Sequence, residues 1–72
     1  MEISDLIKSA RIEKGLTQQQ LADVVFVTRQ TISKWELGKS VPGQASLILL
    51  YQYLDIKDNE KKQLSKLIFN KQ

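Results

Sequence analysis

The chain has 72 residues, with 11 basic and 8 acidic side chains for a formal net charge of +3, and it contains neither cysteine nor histidine. That composition excludes disulfide staples and thiolate metal sites, and it removes the usual general base and the commonest metal ligand, so no metal, cofactor or enzymatic activity is expected. The length suits one domain (1–72) with a small core, and the basic excess suits an anionic partner such as nucleic acid.

No apolar run approaches the ~20 residues of a membrane span. The opening Met1-Glu-Ile-Ser-Asp5 is acidic and lacks the basic-then-apolar order of a secretion signal, so a cytosolic protein is expected.

Ile3, Leu6, Ile7 and Ala10 recur at helical spacing, and Gly15 ends that run as a left-handed C-cap behind Lys14. The first helix is read as Ser4 to Lys14. Thr17 and Gln20 then form a capping box, with Leu16 and Leu21 at staple spacing around it. In the helix that follows, Leu21, Ala22 and Val25 face inward. After Phe26 and Val27, Thr28 caps a third helix read as Arg29 to Leu37 and stopped by Gly38. Ile32, Trp35 and Glu36 fall on one side of it, and Gln30, Ser33, Lys34 and Leu37 on the other.

Lys39-Ser-Val-Pro-Gly43 reads as a loop. A fourth helix runs about Gln44 to Leu54, with Leu47, Leu50, Tyr51 and Leu54 inward. Ile48, Leu49 and Tyr53 extend its apolar surface almost all the way round. Asp58 caps a fifth helix with Leu64, Leu67 and Ile68 as its stripe, Lys61, Lys62 and Lys66 on the solvated side, and Phe69 off the stripe. No strand pattern, repeat or low-complexity segment interrupts this all-α reading.

The segments Arg11-Ile-Glu-Lys-Gly-Leu-Thr-Gln18, Thr28-Arg-Gln-Thr-Ile-Ser-Lys-Trp-Glu36 and Gly38-Lys-Ser-Val-Pro42, followed by a Leu-rich helix, occur in that order. The spacing Gln18, Ala22, Val27, Ile32, Glu36 resembles the XRE family, the helix-turn-helix domains similar to lambdoid phage repressor and Cro. The resemblance covers nearly the whole chain. It implies a compact five-helix bundle of the lambda-repressor-like DNA-binding type, with a helix-turn-helix unit at about residues 17–37.

The residues themselves agree with that implication. A helix fits the major groove, where base edges are chemically distinguishable. The second helix of such a unit enters the groove and its first residues reach the bases. Arg29, Gln30, Ser33 and Lys34 occupy those outward positions and none is acidic. Arg and Lys donate to guanine, and Gln pairs bidentately with adenine. The plain alternative is a solvated helix face, with Ser33 closest to it.

Gln18 is the first helical residue after its cap, where a side chain and unpaired amides suit a phosphate oxygen. The resemblance gives it the role of anchoring the DNA backbone. It also puts Lys39, Ser40 and Gln44 near phosphates, although they read equally well as ordinary polar loop residues. Thr28 is a helix cap first and a phosphate contact second, and Thr31 is a candidate for backbone or base contact. Arg11 and Glu36 match a structural ion pair found in some family members, which would lock the recognition helix against helix 1.

Three positions depart from the family pattern. Phe26 stands where a Gly is usual, at a turn position that often takes a left-handed backbone, and packing against Trp35 and helix 4 is expected to offset the strain. Ser40-Val-Pro-Gly43 replaces an Arg that in some relatives reaches the minor groove. Leu37 stands where a polar residue is common.

Sequence-specific duplex binding as a transcriptional regulator is the leading functional expectation. With no second domain expected in so short a chain, it would repress by occupying an operator. A two-fold homodimer would suit a palindromic operator, with Leu49, Tyr53 and Phe69 as candidates for the dimer surface. Packing of helices 4 and 5 on each other accounts for the same residues. The alternative is a protein-interaction module on the same fold, antitoxin-like or binding a repressor. Catalysis is rejected because Glu13, Asp23, Asp55 and Asp58 sit at surface-like positions and no phosphate-cradling Gly loop exists.

Overall fold

The computed structural model describes residues 2–54, so the expected fifth helix and Phe69 lie outside the described residues. Those residues form four helices and no strand: α1 (Ile3–Glu13), α2 (Gln18–Val24), α3 (Arg29–Glu36) and α4 (Gln44–Leu54). The all-helical class is as expected, with the ends of α1 and α3 displaced by one residue.

Side-chain caps set both helix starts of the central unit. Thr17 Oγ1 accepts from the Gln20 amide at 3.0 Å while Gln20 Oε1 accepts from the Thr17 amide at 2.9 Å, a complete capping box. Thr28 Oγ1 accepts from the Thr31 amide at 3.2 Å, and no reciprocal bond forms because the third helical residue is Thr rather than Gln or Glu.

The ends of these helices share one device. Leu16 N–H donates to Arg11 O, Val27 N–H to Ala22 O and Lys39 N–H to Lys34 O, the six-residue closures of Schellman motifs at the ends of α1, α2 and α3. The residue inside each closure must take a positive φ. Gly15 does so at 72° and Gly38 at 74°, where a missing Cβ removes the penalty. At the end of α2 the same place is held by Phe26, with φ 62°.

Behind these turns α3 packs against both α2 and α1, and α4 packs against α1. Ile7 of α1, Leu21, Ala22 and Val25 near α2, Ile32 and Trp35 of α3, and Leu47, Leu50 and Leu54 of α4 make one buried cluster. Each large aliphatic side chain removed from water here contributes about 1.5–3 kcal/mol. Leu16 and Val27, the staple residues ahead of α2 and α3, pack against the same cluster.

Two expectations about apolar residues need correction. Phe26 does not pack on Trp35 or α4: it is 82% exposed, so the left-handed backbone is present and no burial offsets it. Helix α4 is also less apolar on its outside than the sequence suggests, since Leu49 joins the inward-facing Tyr51 in packing against the chain's own core and only Ile48 and Tyr53 stay substantially open.

Strain at Phe26 costs about 1–2 kcal/mol, part of which a Gly there returns through its freer unfolded chain. Phe26→Gly is therefore expected to stabilise the domain by about 0.5–1 kcal/mol, seen as a rise of a few degrees in Tm. An unchanged or lower Tm would show that the ring makes a stabilising contact.

Candidate nucleic-acid interface

Helix α3 has two chemically distinct sides. Ile32 and Trp35 are buried, and the residues opposite them are Arg29, Gln30, Ser33 and Lys34. At ~100° per residue these four cover roughly 140° of the helix surface. Arg29, Gln30 and Lys34 are exposed and Ser33 is half-buried. Among the described residues Arg29, Gln30 and Lys34 make no side-chain hydrogen bond or ion pair, which leaves their donors to solvent or to a ligand. Of the four residues expected to face outward, Arg29, Gln30 and Lys34 are exposed, and Ser33 lies within the same arc but is half-buried. Leu37, one turn further on, is 66% exposed.

The far end of α3 is tied down by charge. Arg11 Nε donates to Glu36 Oε2 at 2.7 Å and Arg11 Nη2 donates to Glu36 Oε1 at 3.1 Å, a two-pronged pairing of guanidinium and carboxylate. The Arg11 and Glu36 side chains are 13% and 4% exposed. The third prong, Arg11 Nη1, donates to the Leu16 carbonyl at 2.7 Å. One guanidinium thus joins α1, the turn before α2, and the end of α3. The carboxylate of Glu36 is turned into the protein, away from the outward face.

A fourth contact was not foreseen from the sequence. Gln18 Nε2 donates to Glu36 Oε1 at 3.1 Å, so the first residue of α2 joins the same network. These two positions are 18 residues apart and share no periodicity, so only the folded distance reveals the bond. Gln18 remains half-buried rather than enclosed.

The other expected backbone-contact residues lie at the cap of α3, within it, and in the loop and helix start that follow it. Thr28 is exposed and its hydroxyl lies 3.0 Å from that of half-buried Thr31, so the two hydroxyls are linked in addition to the cap. Lys39 and Ser40 are exposed in the loop after α3, and Gln44 is exposed at the first position of α4. On the opposite side of the question of dimerisation, Tyr53 is 41% exposed with Lys14 Nζ 5.9 Å from its ring centroid, a cation–π contact between α4 and the end of α1.

Breaking a buried ion pair by removing one partner costs about 3–5 kcal/mol. Arg11 keeps some solvent, so Arg11→Ala is expected to cost about 2–3 kcal/mol. Exposed Arg29→Ala is expected to change stability by less than ~0.5 kcal/mol. Thermal unfolding of the two variants side by side checks this, and equal Tm values would contradict a structural ion pair.

A helix-turn-helix family model matches residues 7–61. The HTH-type transcriptional activator BcrR of Enterococcus faecalis is 38% identical over 83% of this chain and 29% of its own length. The multiprotein-bridging factor 1a of Arabidopsis thaliana is 39% identical over 85% of this chain and 43% of its own. The type II methyltransferase M1.ScrFI of Lactococcus lactis subsp. cremoris is 32% identical over 90% of this chain, but the match covers 18% of that protein. The chain thus spans less than half the length of each of these relatives. No solved structure matches. The family match, over most of the chain and over the capped pair α2–α3, shows that the chain belongs to the XRE-type helix-turn-helix family.

Proposed function

We propose that this chain binds duplex DNA sequence-specifically by laying the outer face of α3 in the major groove, and that it represses transcription by occupying an operator. The observation that carries this reading is the exposed, unengaged set Arg29, Gln30 and Lys34 opposite the buried Ile32 and Trp35. Arg29 and Lys34 suit guanine O6 and N7, Gln30 suits adenine N6 and N7, and Ser33 reaches whichever base lies beside it. Gln18, Thr28, Thr31, Lys39, Ser40 and Gln44 set the register on phosphates.

In this reading residues 1–72 act as one domain, with a fifth helix completing the bundle after α4. Two copies related by a two-fold axis would place their α3 helices one DNA turn apart, ~34 Å, on a palindromic operator. The open part of α4, Tyr53 with Ile48, supports such a surface. Leu49 contributes less, because it packs inward, and Phe69 joins the proposal from its place in the sequence alone. A cytosolic location goes with a DNA partner.

A second reading, a protein-interaction module, draws on Phe26 and Val41, which are 82% and 71% exposed. Salt separates the two. Binding through phosphates weakens linearly on a log–log plot as salt rises, whereas a mainly apolar interface barely responds.

Selection from random duplexes is expected to yield a palindromic site with fixed half-site spacing. On that site Gln30→Ala or Lys34→Ala is expected to cost about 1–3 kcal/mol and relax preference at one base pair per half-site. Lys39→Ala should lower the salt slope by about 1 per bound chain without changing preference. Failure to enrich any sequence at low ionic strength would overturn the DNA reading.

A further inference from the structure

We propose that Glu36 is a positioning residue for DNA binding: held by Arg11, its carboxylate fixes the Gln18 amide so that one N–H is engaged inside the protein and the other is presented to a phosphate oxygen of the duplex. The inference rests on the DNA-binding reading above and gives the ion pair a part in it beyond joining helices.

The chemistry of the groups sets the orientation. An ionised carboxylate only accepts hydrogen bonds, so Gln18 must turn its NH2 group, not its oxygen, toward Glu36. A side-chain amide has two N–H donors. The 3.1 Å bond to Glu36 Oε1 uses one, and among the described residues nothing else engages the Gln18 side chain. Turned the other way, the amide would offer its oxygen to an anion and repel it.

The surroundings keep Glu36 from repelling the same phosphate. Its side chain is 4% exposed, and two Arg11 N–H groups at 2.7 Å and 3.1 Å balance its charge. Arg11 also grips the Leu16 carbonyl at 2.7 Å, two residues before Gln18, so the acceptor and the backbone carrying Gln18 are fixed to one guanidinium. Ordering this long side chain before DNA arrives removes part of the entropy loss that binding otherwise carries. An unattached Gln at the same place would have to be ordered by the duplex itself.

Two variants without the ion pair isolate the effect. Arg11→Met/Glu36→Met removes the acceptor, and Arg11→Met/Glu36→Gln restores a neutral one. Replacing both partners of a buried pair by groups of similar volume often leaves stability intact, and a thermal melt checks that both fold. On the selected duplex the Met variant is expected to bind about threefold to tenfold more weakly than the Gln variant. In a Gln18→Ala background the two are expected to bind alike, and the salt slope is expected to be the same throughout, because Gln18 carries no charge.

Equal binding of the pair, tighter binding by the Met variant, or a difference that survives Gln18→Ala would each overturn the proposal. If the unmodified protein binds and Gln18→Ala weakens it while the pair bind equally, this inference falls and the DNA reading stands; if the unmodified protein binds no duplex, the DNA reading itself falls. The unmodified protein gives an independent check should the Met variant unfold. The two amide protons of a Gln side chain give separate NMR signals because the C–N bond rotates slowly, and on titration with duplex one Gln18 signal is expected to move strongly and the other little. Equal movement of both would contradict the proposal.

Discussion

Arg11 and Glu36 meet through two short hydrogen bonds in a nearly closed pocket, and the placement of α3 depends on that meeting. Helix α3 has eight residues, a length that does not hold a helix together in water without support. Its support comes from both ends. Thr28 caps the start, Ile32 and Trp35 anchor the middle in the core, and Glu36 ties the finish to α1. Net stabilisation from a buried pair is often small, but its geometry is restrictive: a planar fork meeting a planar carboxylate admits few relative orientations. Helix orientation is what a groove-reading element most needs to have settled.

The same helix therefore has divided chemistry. Its acidic residue is buried and paired, while its basic and amide residues are exposed and unengaged among the described residues. Had Glu36 faced outward it would have opposed a phosphate backbone; turned inward it becomes an acceptor for both Arg11 and Gln18. Phe26 is the contrary case. It occupies the left-handed place of a Schellman turn that glycine fills at the ends of α1 and α3, and its ring lies in solvent. The turn keeps its shape because its closing bond, Val27 N–H to Ala22 O at 3.0 Å, and the packing of Val27 hold the backbone there.

Much of the described fold was legible because it is written in local chemistry. Thr17 with Gln20 announced a helix start three residues apart, Gly15 and Gly38 announced helix ends, and the spacing of Ile32 and Trp35 separated the inner side of α3 from Arg29, Gln30 and Lys34. The Arg11–Glu36 pair was reached through family resemblance, since no local rule joins residues 25 apart. What stayed hidden was tertiary. The bond from Gln18 to Glu36 needs two helices to meet at a defined distance. The exposure of Phe26 was misjudged because a large apolar side chain was assumed to find a pocket, whereas the direction of the turn sends it outward. Leu49, a candidate for a partner surface or for packing within the chain, is partly buried against the chain's own core.

In the proposed function the exposed side of α3 reads base edges from the wide groove. Methylation interference on the selected duplex tests it directly, because guanine N7 lies in the major groove and adenine N3 in the minor groove. Methylation at guanine N7 within the half-sites is expected to abolish binding, while methylation at adenine N3 leaves it nearly unchanged. The reverse pattern, or indifference to both, would contradict the account.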